Sequence, residues 1–280
     1  MSEEFQSHPS ATEERRSALR AYFDAIATEG VFCPSYGECR KSHPENYYEN
    51  QLPHVGDHYD LIRRGVPFRV VIVGQECGDR LFNVTMEKRQ QDIVQTGLGR
   101  RFFKEAPLEG RNAHMRGTTS ALRLLFGYDV GSDYDQEWIS VNKAKVHLFE
   151  CFSLVNYMMC AAFDDETSNR GNSTETMQEN CARHFSAILH RLRPTVIVLQ
   201  GVWVRQWISK YGALELPKKP PACHFERVQI GDTESSLLSF SHPSQPGNMN
   251  WGRNDKADYL IHTVVPTIRE CLSQLGSANT

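Results

Sequence analysis

The sequence predicts an α/β protein, a three-layer α/β/α sandwich with a central, mainly parallel sheet. Short apolar runs rich in β-branched residues alternate with amphipathic helical segments, which is the pattern of a parallel sheet covered by helices. The runs FRVVIVG (68–74), KVHLFECF (145–152) and TVIVLQG (195–201) predict buried strands. We expect a single domain over residues 1–280, because no repeat, low-complexity tract or linker interrupts the chain.

The other elements follow from local patterns along the chain. The helical spacing of Leu19, Phe23 and Ile26 predicts an N-terminal helix within residues 1–30. A loop rich in Cys, Pro, Gly and His is expected over residues 32–57. Further helices are predicted from their amphipathic spacing at 118–126, 174–193, 202–212 and 256–272, and further strands at 224–230 and 235–241.

Residues 79–117 are expected to form an irregular, Arg-rich insertion, because they contain few periodic apolar positions. The basic residues concentrated there are Arg100, Arg101, Lys104, Arg111 and Arg116. A solvated loop is the simpler interpretation of this charge, and a local basic face that binds nucleic acid is the alternative.

Composition and charge exclude several classes of protein. The net charge of −3 argues against a protein that is held to DNA mainly by charge. No apolar run approaches the roughly 18 residues that a membrane-spanning helix needs. The polar, acidic N-terminus predicts no secretory signal, so we expect the protein to act in a reducing cytoplasm. Its 8 cysteines are then expected to be core residues or metal ligands rather than disulfides.

Polar residues follow three of the predicted strands. They lie in GQECG (74–78), SLVN (153–156) and SHPS (241–244). Because the carboxyl ends of parallel strands meet at one edge of a sheet, we expect these three loops to lie together where ligands bind. A carboxylate, an amide and a histidine at such an edge are suited to binding a small polar ring and stabilising charge on it.

These motifs resemble, in the same order, those of the uracil-DNA glycosylase superfamily. GQECG, FSLVN and SHPSQPGNMNWG match its three active-site loops, and RPTVIVLQG resembles the strand before its third helix. The resemblance covers roughly residues 30–275 and implies the fold of that superfamily. It also implies a repair glycosylase that flips uracil out of DNA and hydrolyses the N-glycosidic bond to leave an abasic site. Other deaminated bases stay open as substrates. The implied partner is uracil-containing DNA, single- or double-stranded. We expect no association with a membrane, and we expect a monomer.

The resemblance implies a role for each motif. Glu76 would position the attacking water and stabilise the cationic sugar, and His242 would donate to O2 of the departing uracil. Asn156 would hydrogen-bond the Watson–Crick edge of the base. The acid of the superfamily aligns with either Gln75 or Glu76, so the water-activating residue stays open between them. Glu76 is preferred because an amide carries no charge.

Further site residues follow from the same resemblance. Met115 occupies the position where family members stack an aromatic ring on the base, with His114 beside it and Phe152 as an alternative stack. Gly74 and Ser244 complete the predicted base pocket. The residues expected to contact DNA are Arg116, Arg170, which follows Asn169 in a segment resembling the family's Asn-Arg pair, and Met249, the apolar tip of a loop that would fill the vacated stack.

One subgroup of the superfamily carries a four-iron–four-sulfur cluster on four cysteines. The matching residues here are Cys33, Cys39, Cys160 and Cys181. Cys160 comes four residues after Asn156, as in the subgroup, but five residues separate the first pair where the subgroup has two. A cluster, a zinc ion or no metal therefore stay open. The remaining cysteines are predicted to be structural: Cys77, Cys151, Cys223 and Cys271.

Two other classes compete with a glycosylase. A non-catalytic iron–sulfur protein that binds nucleic acid would use the same scaffold, but the acid and histidine in the loops favour an enzyme. A nucleoside hydrolase is disfavoured, because nothing in the chain resembles its Asp-rich calcium site.

Overall fold

The computed structural model of this protein describes most of the chain. The described residues are 4–28, 30–43, 45–49, 51–78, 80, 82–104, 108–164, 171–216 and 225–277. Three residues singled out above, Asn169, Arg170 and Cys223, lie outside these ranges.

Strands and helices alternate along the described chain. The strands are β1 (Glu4–Ser7), β2 (Tyr47–Tyr48), β3 (His54–Val55), β4 (Leu61–Arg63), β5 (Val66–Phe68), β6 (Val70–Gly74), β7 (Arg100–Arg101), β8 (Glu109–Gly110), β9 (Trp138–Val141), β10 (Ala144–His147), β11 (Phe152–Asn156), β12 (Ala161–Ala162), β13 (Val196–Gln200), β14 (Phe225–Ile230) and β15 (Thr233–Phe240). The helices are α1 (Pro9–Ile26), α2 (Tyr36–Ser42), α3 (Met86–Gly99), α4 (Ala113–Leu125), α5 (Glu175–Leu192), α6 (Val202–Lys210) and α7 (Val265–Ser277). None of these described helices combines the length and apolar character needed to cross a membrane.

The largest sheet has six strands in the order β14-β15-β13-β6-β11-β3. Its four inner strands, β15, β13, β6 and β11, run parallel to one another. The two edge strands, β14 and β3, are antiparallel to their neighbours. The prediction of an α/β protein with a mainly parallel central sheet is therefore confirmed.

Helices cover both faces of this sheet. Along β6, Val71 and Val73 belong to a core shared with α1, α5 and α6, whereas Val70 and Ile72 belong to a second core shared with α4 and α7. Successive side chains of a strand point to opposite faces, so the alternation places one core on each side. Each of these four side chains is fully buried, which contributes about 1.5–3 kcal/mol of stability relative to an exposed side chain.

A second sheet was not predicted from the sequence. It has five strands in the order β10-β9-β1-β4-β5. The prediction of one strand over residues 145–152 is therefore wrong. The run begins in β10 of the second sheet and continues through a 3₁₀ turn at Leu148–Glu150. Only at Phe152 does β11 of the central sheet begin. Both parts of the run are buried, so an uninterrupted apolar pattern hides the break between them.

The prediction of an irregular insertion over residues 79–117 is also wrong. Helix α3 lies inside it and begins after Thr85, whose side chain accepts a hydrogen bond from the backbone N–H of Lys88. Only Met86, Ile93 and Gly97 of this helix are buried, so its apolar pattern is weak. A short helix, α2, likewise lies within the loop predicted for residues 32–57.

Candidate active site

The carboxyl ends of the parallel strands meet at one edge of the central sheet. Asn156 of β11 pairs with Gly74 of β6, and Gln200 of β13 pairs with Phe240 of β15. The loops after these strands open onto a cleft of about 1760 Å³. Seven of the residues predicted from sequence line it: Gln75, Glu76, His114, Met115, Asn156, His242 and Ser244.

Glu76 is a partly buried carboxyl group with few partners. Among the described residues its side chain makes one hydrogen bond, a long one of 3.4 Å from the backbone N–H of Ala162 to Oε2. The carboxyl also packs against Gly171, where any Cβ would collide with it. Burial raises the pKa of Glu76 from its usual 4.5 to about 8. A carboxyl group with a pKa near neutrality is suited to exchange a proton with a substrate or water.

His242 presents one ring nitrogen to its own loop. Its Nδ1 lies 2.8 Å from the hydroxyl of Ser244 and accepts a hydrogen bond from the backbone N–H of Ser244 at 3.2 Å. Burial lowers the pKa of His242 to about 4, so the ring is neutral at pH 7. Because a backbone N–H can only donate, Nδ1 is the acceptor and the single ring proton is on Nε2. His242 is thus a neutral hydrogen-bond donor.

The loop that carries His242 is held by buried contacts. Trp251 is fully buried and its Nε1 donates to the carbonyl of Ser241 at 2.7 Å. The hydroxyl of Ser241 in turn donates to the carbonyl of Met249 at 2.7 Å. Gly117 of α4 allows the loop to approach, because a Cβ there would come within 2.6 Å of the Pro243 ring. These contacts preorganise the histidine before any ligand binds.

Asn156 is buried at the end of β11 and its amide is hydrogen-bonded. Its Nδ2 donates to Oε1 of Gln51 at 2.7 Å. Its Oδ1 lies beside Gly74: a Cβ at position 74 would stand 2.9 Å from this oxygen and 3.2 Å from Nε2 of His114. The glycine at the end of β6 therefore permits the two polar side chains to approach the strand end closely.

His114 and Met115 lie on the first turn of α4, next to His242. The rings of His114 and His242 are stacked with centroids 5.6 Å apart and an interplanar angle of 30°. Burial, together with the nearby His242, lowers the pKa of His114 to about 3, so this ring too is neutral. Met115 is buried and turns toward the cleft from the same turn. The two residues provide a ring face and an apolar surface beside the polar groups.

The cleft also has lining residues that the sequence did not identify as functional. Trp203 and Trp207 of α6 and Arg89 of α3 line it, and Trp203 is 55% exposed. A tryptophan in the first turn of a helix that follows a strand end was the available signal, because that turn lies at the ligand-binding edge.

The structure corrects one of the predicted site residues, Phe152. Phe152 cannot stack on a bound base, because it is fully buried and pairs with Val70 at the opposite end of β11 from Asn156. Arg116 donates from Nε to the carbonyl of Gly252 at 2.5 Å and from Nη1 to that of Arg111 at 2.9 Å. Its contact with DNA stays a prediction.

Two further predictions concern residues near the cleft. Arg111, expected in a solvated loop or basic face, is buried and ion-paired with Glu137 at 2.6 Å, so both interpretations of this residue are wrong. Met249 is 41% exposed and is not among the residues that line the cleft. Its role as an apolar wedge stays a prediction, as does the role of Arg170, which lies outside the described residues.

The four cysteines predicted as cluster ligands all lie in the core that α1, α5 and α6 share: Cys33, Cys39, Cys160 and Cys181. Cys181 interacts electrostatically with the other three. Two of the thiols have polar neighbours, since Cys33 Sγ lies 3.5 Å from Nε2 of His184 and Cys39 Sγ accepts from Asn180 at 3.5 Å. No group of three or more His, Cys, Asp or Glu side chains within the described ranges is arranged to hold a metal ion.

Comparison with known proteins leaves the family open. No protein-family model matches this chain, and no curated protein matches it either. A function for the cleft has to be argued from its own chemistry.

Proposed function

We propose that this protein is a DNA glycosylase that removes uracil by hydrolysing its N-glycosidic bond. The observation that carries the proposal is the convergence of Glu76, Asn156 and His242 on one cleft, from loops far apart in sequence. An ionisable carboxyl, an amide and a neutral histidine donor are the groups that this reaction needs. The finer fold assignment, to the uracil-DNA glycosylase superfamily, is part of the same proposal and is supported by the order of these loops on the strand ends.

Asn156 is the proposed reader of the base. A base that is flipped out of the DNA stack presents its Watson–Crick edge to the pocket. Uracil offers a carbonyl, which accepts from an amide N–H, and an N3–H, which donates to an amide oxygen. Cytosine reverses both groups and would leave buried polar atoms unpaired, which costs about 1–3 kcal/mol for each. Asn156 therefore favours uracil.

His242 is the proposed stabiliser of the leaving group. As the bond between C1′ of the sugar and N1 of uracil breaks, the bonding electrons pass to the base and negative charge builds on O2. The neutral ring of His242, with its proton on Nε2, is a donor for that oxygen. The loop already holds this ring in place, so no reorganisation is needed when the charge develops.

Glu76 is the proposed acceptor of the proton from water. The water oxygen bonds to C1′, and the released proton moves to the Glu76 carboxylate. This step requires the ionised carboxylate, whose charge also stabilises the cationic sugar. Gln75, the alternative from the sequence, lines the same cleft but has no group that can accept a proton at neutral pH.

The direct test is excision from a labelled single- or double-stranded oligonucleotide that contains one uracil. We expect alkali-labile abasic sites with the protein, and none with the matched oligonucleotide that carries thymine. The Asn156→Asp variant should lose most of the uracil activity, because a carboxylate cannot donate to the uracil carbonyl. Absence of excision by the unaltered protein on both kinds of DNA would contradict the proposed function.

We further propose that Cys33, Cys39, Cys160 and Cys181 hold a four-iron–four-sulfur cluster, with zinc as the alternative. The donor chemistry fits, because four thiols are the usual ligands of such a cluster and these four are buried in one core and interact with one another. Burial raises the pKa of the Cys181 thiol, so binding would have to displace protons. A bound cluster would supply a structural link between α2, the end of β11 and α5.

Metal analysis of protein purified without air tests this second proposal. We expect brown protein that contains iron, and Cys160→Ser should lose it while Cys271→Ser, in a different core, should not. Zinc in place of iron would keep the ligands and change the cofactor. Protein that contains neither metal would overturn the proposal.

A further inference from the structure

A second amide lies behind the amide of Asn156. Gln51 accepts the hydrogen bond from Asn156 Nδ2 at 2.7 Å, and it is only 5% exposed. Its backbone N–H donates to the carbonyl of Met159 at 2.7 Å, which ties it to the segment after β11. Gln51 is not among the residues that line the cleft. It therefore acts on a bound ligand only through Asn156.

The orientation of the Asn156 amide decides which base the site accepts. To bind uracil, Nδ2 must face the carbonyl O4 and Oδ1 must face N3–H. Rotation of the amide by half a turn exchanges the two atoms and produces a pocket edge that matches cytosine. The two orientations have nearly the same shape, so packing alone discriminates poorly between them. A hydrogen bond to a neighbouring group is needed to select one.

We infer that Gln51 is a positioning residue that sets the base specificity of the site by holding the Asn156 amide in the orientation that matches uracil. The inference rests on the proposed function. In this orientation Nδ2 uses one of its two protons for Gln51 and keeps the other for a ligand carbonyl. Oδ1, beside Gly74, keeps its lone pairs for a ligand N–H.

The hydrogen bonds made by the side-chain amide of Gln51 determine which variants are informative. Its Nε2 makes no hydrogen bond to any described residue, so Gln51 is held in this pair through its acceptor oxygen. Rotation of both amides together would also preserve one hydrogen bond. A side chain at position 51 that can only accept removes that second arrangement, and one that cannot hydrogen-bond at all removes both.

The test compares Gln51→Leu, Gln51→Glu and the control Gln274→Leu, which changes an exposed glutamine on α7. Single-turnover rates are measured with uracil- and cytosine-containing oligonucleotides at alkaline pH, where the introduced carboxyl is ionised and only accepts. We expect the ratio of the uracil rate to the cytosine rate to fall by about tenfold or more in Gln51→Leu, because the lost restraint is one buried hydrogen bond. Gln51→Glu should keep or raise this ratio, and Gln274→Leu should leave it unchanged.

A merely structural role would lower both rates equally and leave the ratio unchanged, and that result overturns the inference. The inference is also overturned if Gln51→Glu lowers the ratio of the uracil rate to the cytosine rate as Gln51→Leu does. If the unaltered protein excises neither base, the proposed function fails, and binding of free uracil and free cytosine still tests Gln51. Trp203 and Trp207 line the cleft and report such binding by their fluorescence. A preference of the unaltered protein for uracil that Gln51→Leu abolishes supports the inference, and no preference overturns it.

Discussion

Two carboxyl groups of the protein, Glu137 in the core and Glu76 in the cleft, have pKa values that are shifted in opposite directions. Glu137 Oε2 accepts from Arg111 at 2.6 Å and from His147 at 3.2 Å. Burial alone would raise the pKa of Glu137, but these two partners outweigh it and hold the pKa below its usual value. Among the described residues Glu76 has one long hydrogen bond, from a backbone N–H, and burial raises its pKa to about 8. The number of partners, more than burial, separates the two.

Two histidines, His147 beside Glu137 and His242 in the cleft, differ in the same way. His147 Nδ1 accepts from the backbone N–H of Phe149 at 3.1 Å, as His242 Nδ1 does from Ser244. Burial lowers the pKa of both rings, so both are neutral with the proton on Nε2. His147 donates that proton to Glu137, whereas no described residue accepts from Nε2 of His242. The proton on Nε2 of His147 is therefore used within the core network, whereas the proton on Nε2 of His242 can be donated to a ligand.

The largest effect is expected in the core network. Glu137→Leu leaves the buried charge of Arg111 without its partner and should lower the free energy of unfolding by about 3–5 kcal/mol. The double variant Arg111→Met with Glu137→Leu removes both charges and should be more stable than the single variant. Urea denaturation measures both. A single variant as stable as the unaltered protein would show that the ion pair does not stabilise the fold.

Loss of the Nε2 donor of His242 should lower the rate of uracil excision and leave the stability of the fold unchanged. His242→Ala should lower the single-turnover rate of uracil excision by two to three decades, corresponding to about 2.7–4 kcal/mol of barrier. Its affinity for DNA should stay nearly unchanged, because the donor acts mainly in the transition state. His262→Ala, which changes an exposed histidine outside the cleft, is the matched control. Equal rates for both variants would remove His242 from the mechanism.

The raised pKa of Glu76 predicts a pH profile. If the carboxylate must be ionised to accept a proton, the excision rate should rise about tenfold per pH unit below its pKa and level off above about 8. Glu76→Gln should be slow and lack this rise, and Glu179→Gln, at an exposed position, should retain it. Single-turnover rates across this range test the assignment. A profile that is flat in the unaltered protein, or a Gln75→Ala variant that alone abolishes activity, would move the role to Gln75.

The smallest effect concerns the stability cost of the site. The pKa of Glu76 is raised in the folded state, so the folded protein binds the proton more tightly and loses stability as pH rises from 4.5 to about 8. Glu76→Gln removes this loss and should be more stable by roughly 0.5–2 kcal/mol at the upper end of that range. Below pH 4.5 the two proteins should unfold alike. Thermal unfolding of both proteins at pH 4.5 and at pH 8 measures the difference. A Glu76→Gln protein that is less stable than the unaltered protein at high pH would mean that a hydrogen-bond or charged partner stabilises the Glu76 carboxylate.

Local patterns predicted two fully buried strands of the central sheet and one of the helices packed on it. The strands β6 and β13 and the helix α5 lie where the apolar runs and helical spacing indicated, and β14 and β15 follow as expected. Helix α3 was missed because only three of its residues are buried, although the cap at Thr85 was visible in the sequence. The break between β10 and β11 was missed because the residues on either side of it, 146–149 and 151–152, are buried.

The sequence by itself determined which loops form the candidate site. Parallel strands end at one edge of their sheet, so Glu76, Asn156 and His242 meet there once the strands are identified. Their partners were decided only by the tertiary structure. Gln51 is 105 residues from Asn156, and a spacing in sequence does not reveal which amide faces which.

Tertiary structure alone also distinguished Glu76 from Glu137. Both residues are glutamates next to strands, and the residues that flank them in the sequence do not predict that their pKa values shift in opposite directions. A pKa depends on the distance to charges and donors and on exclusion of water, and those are set by segments that fold against one another. Arg111 comes 26 residues before Glu137 and is paired with it, whereas among the described residues the Glu76 carboxyl accepts one hydrogen bond, from a backbone N–H, and packs against Gly171.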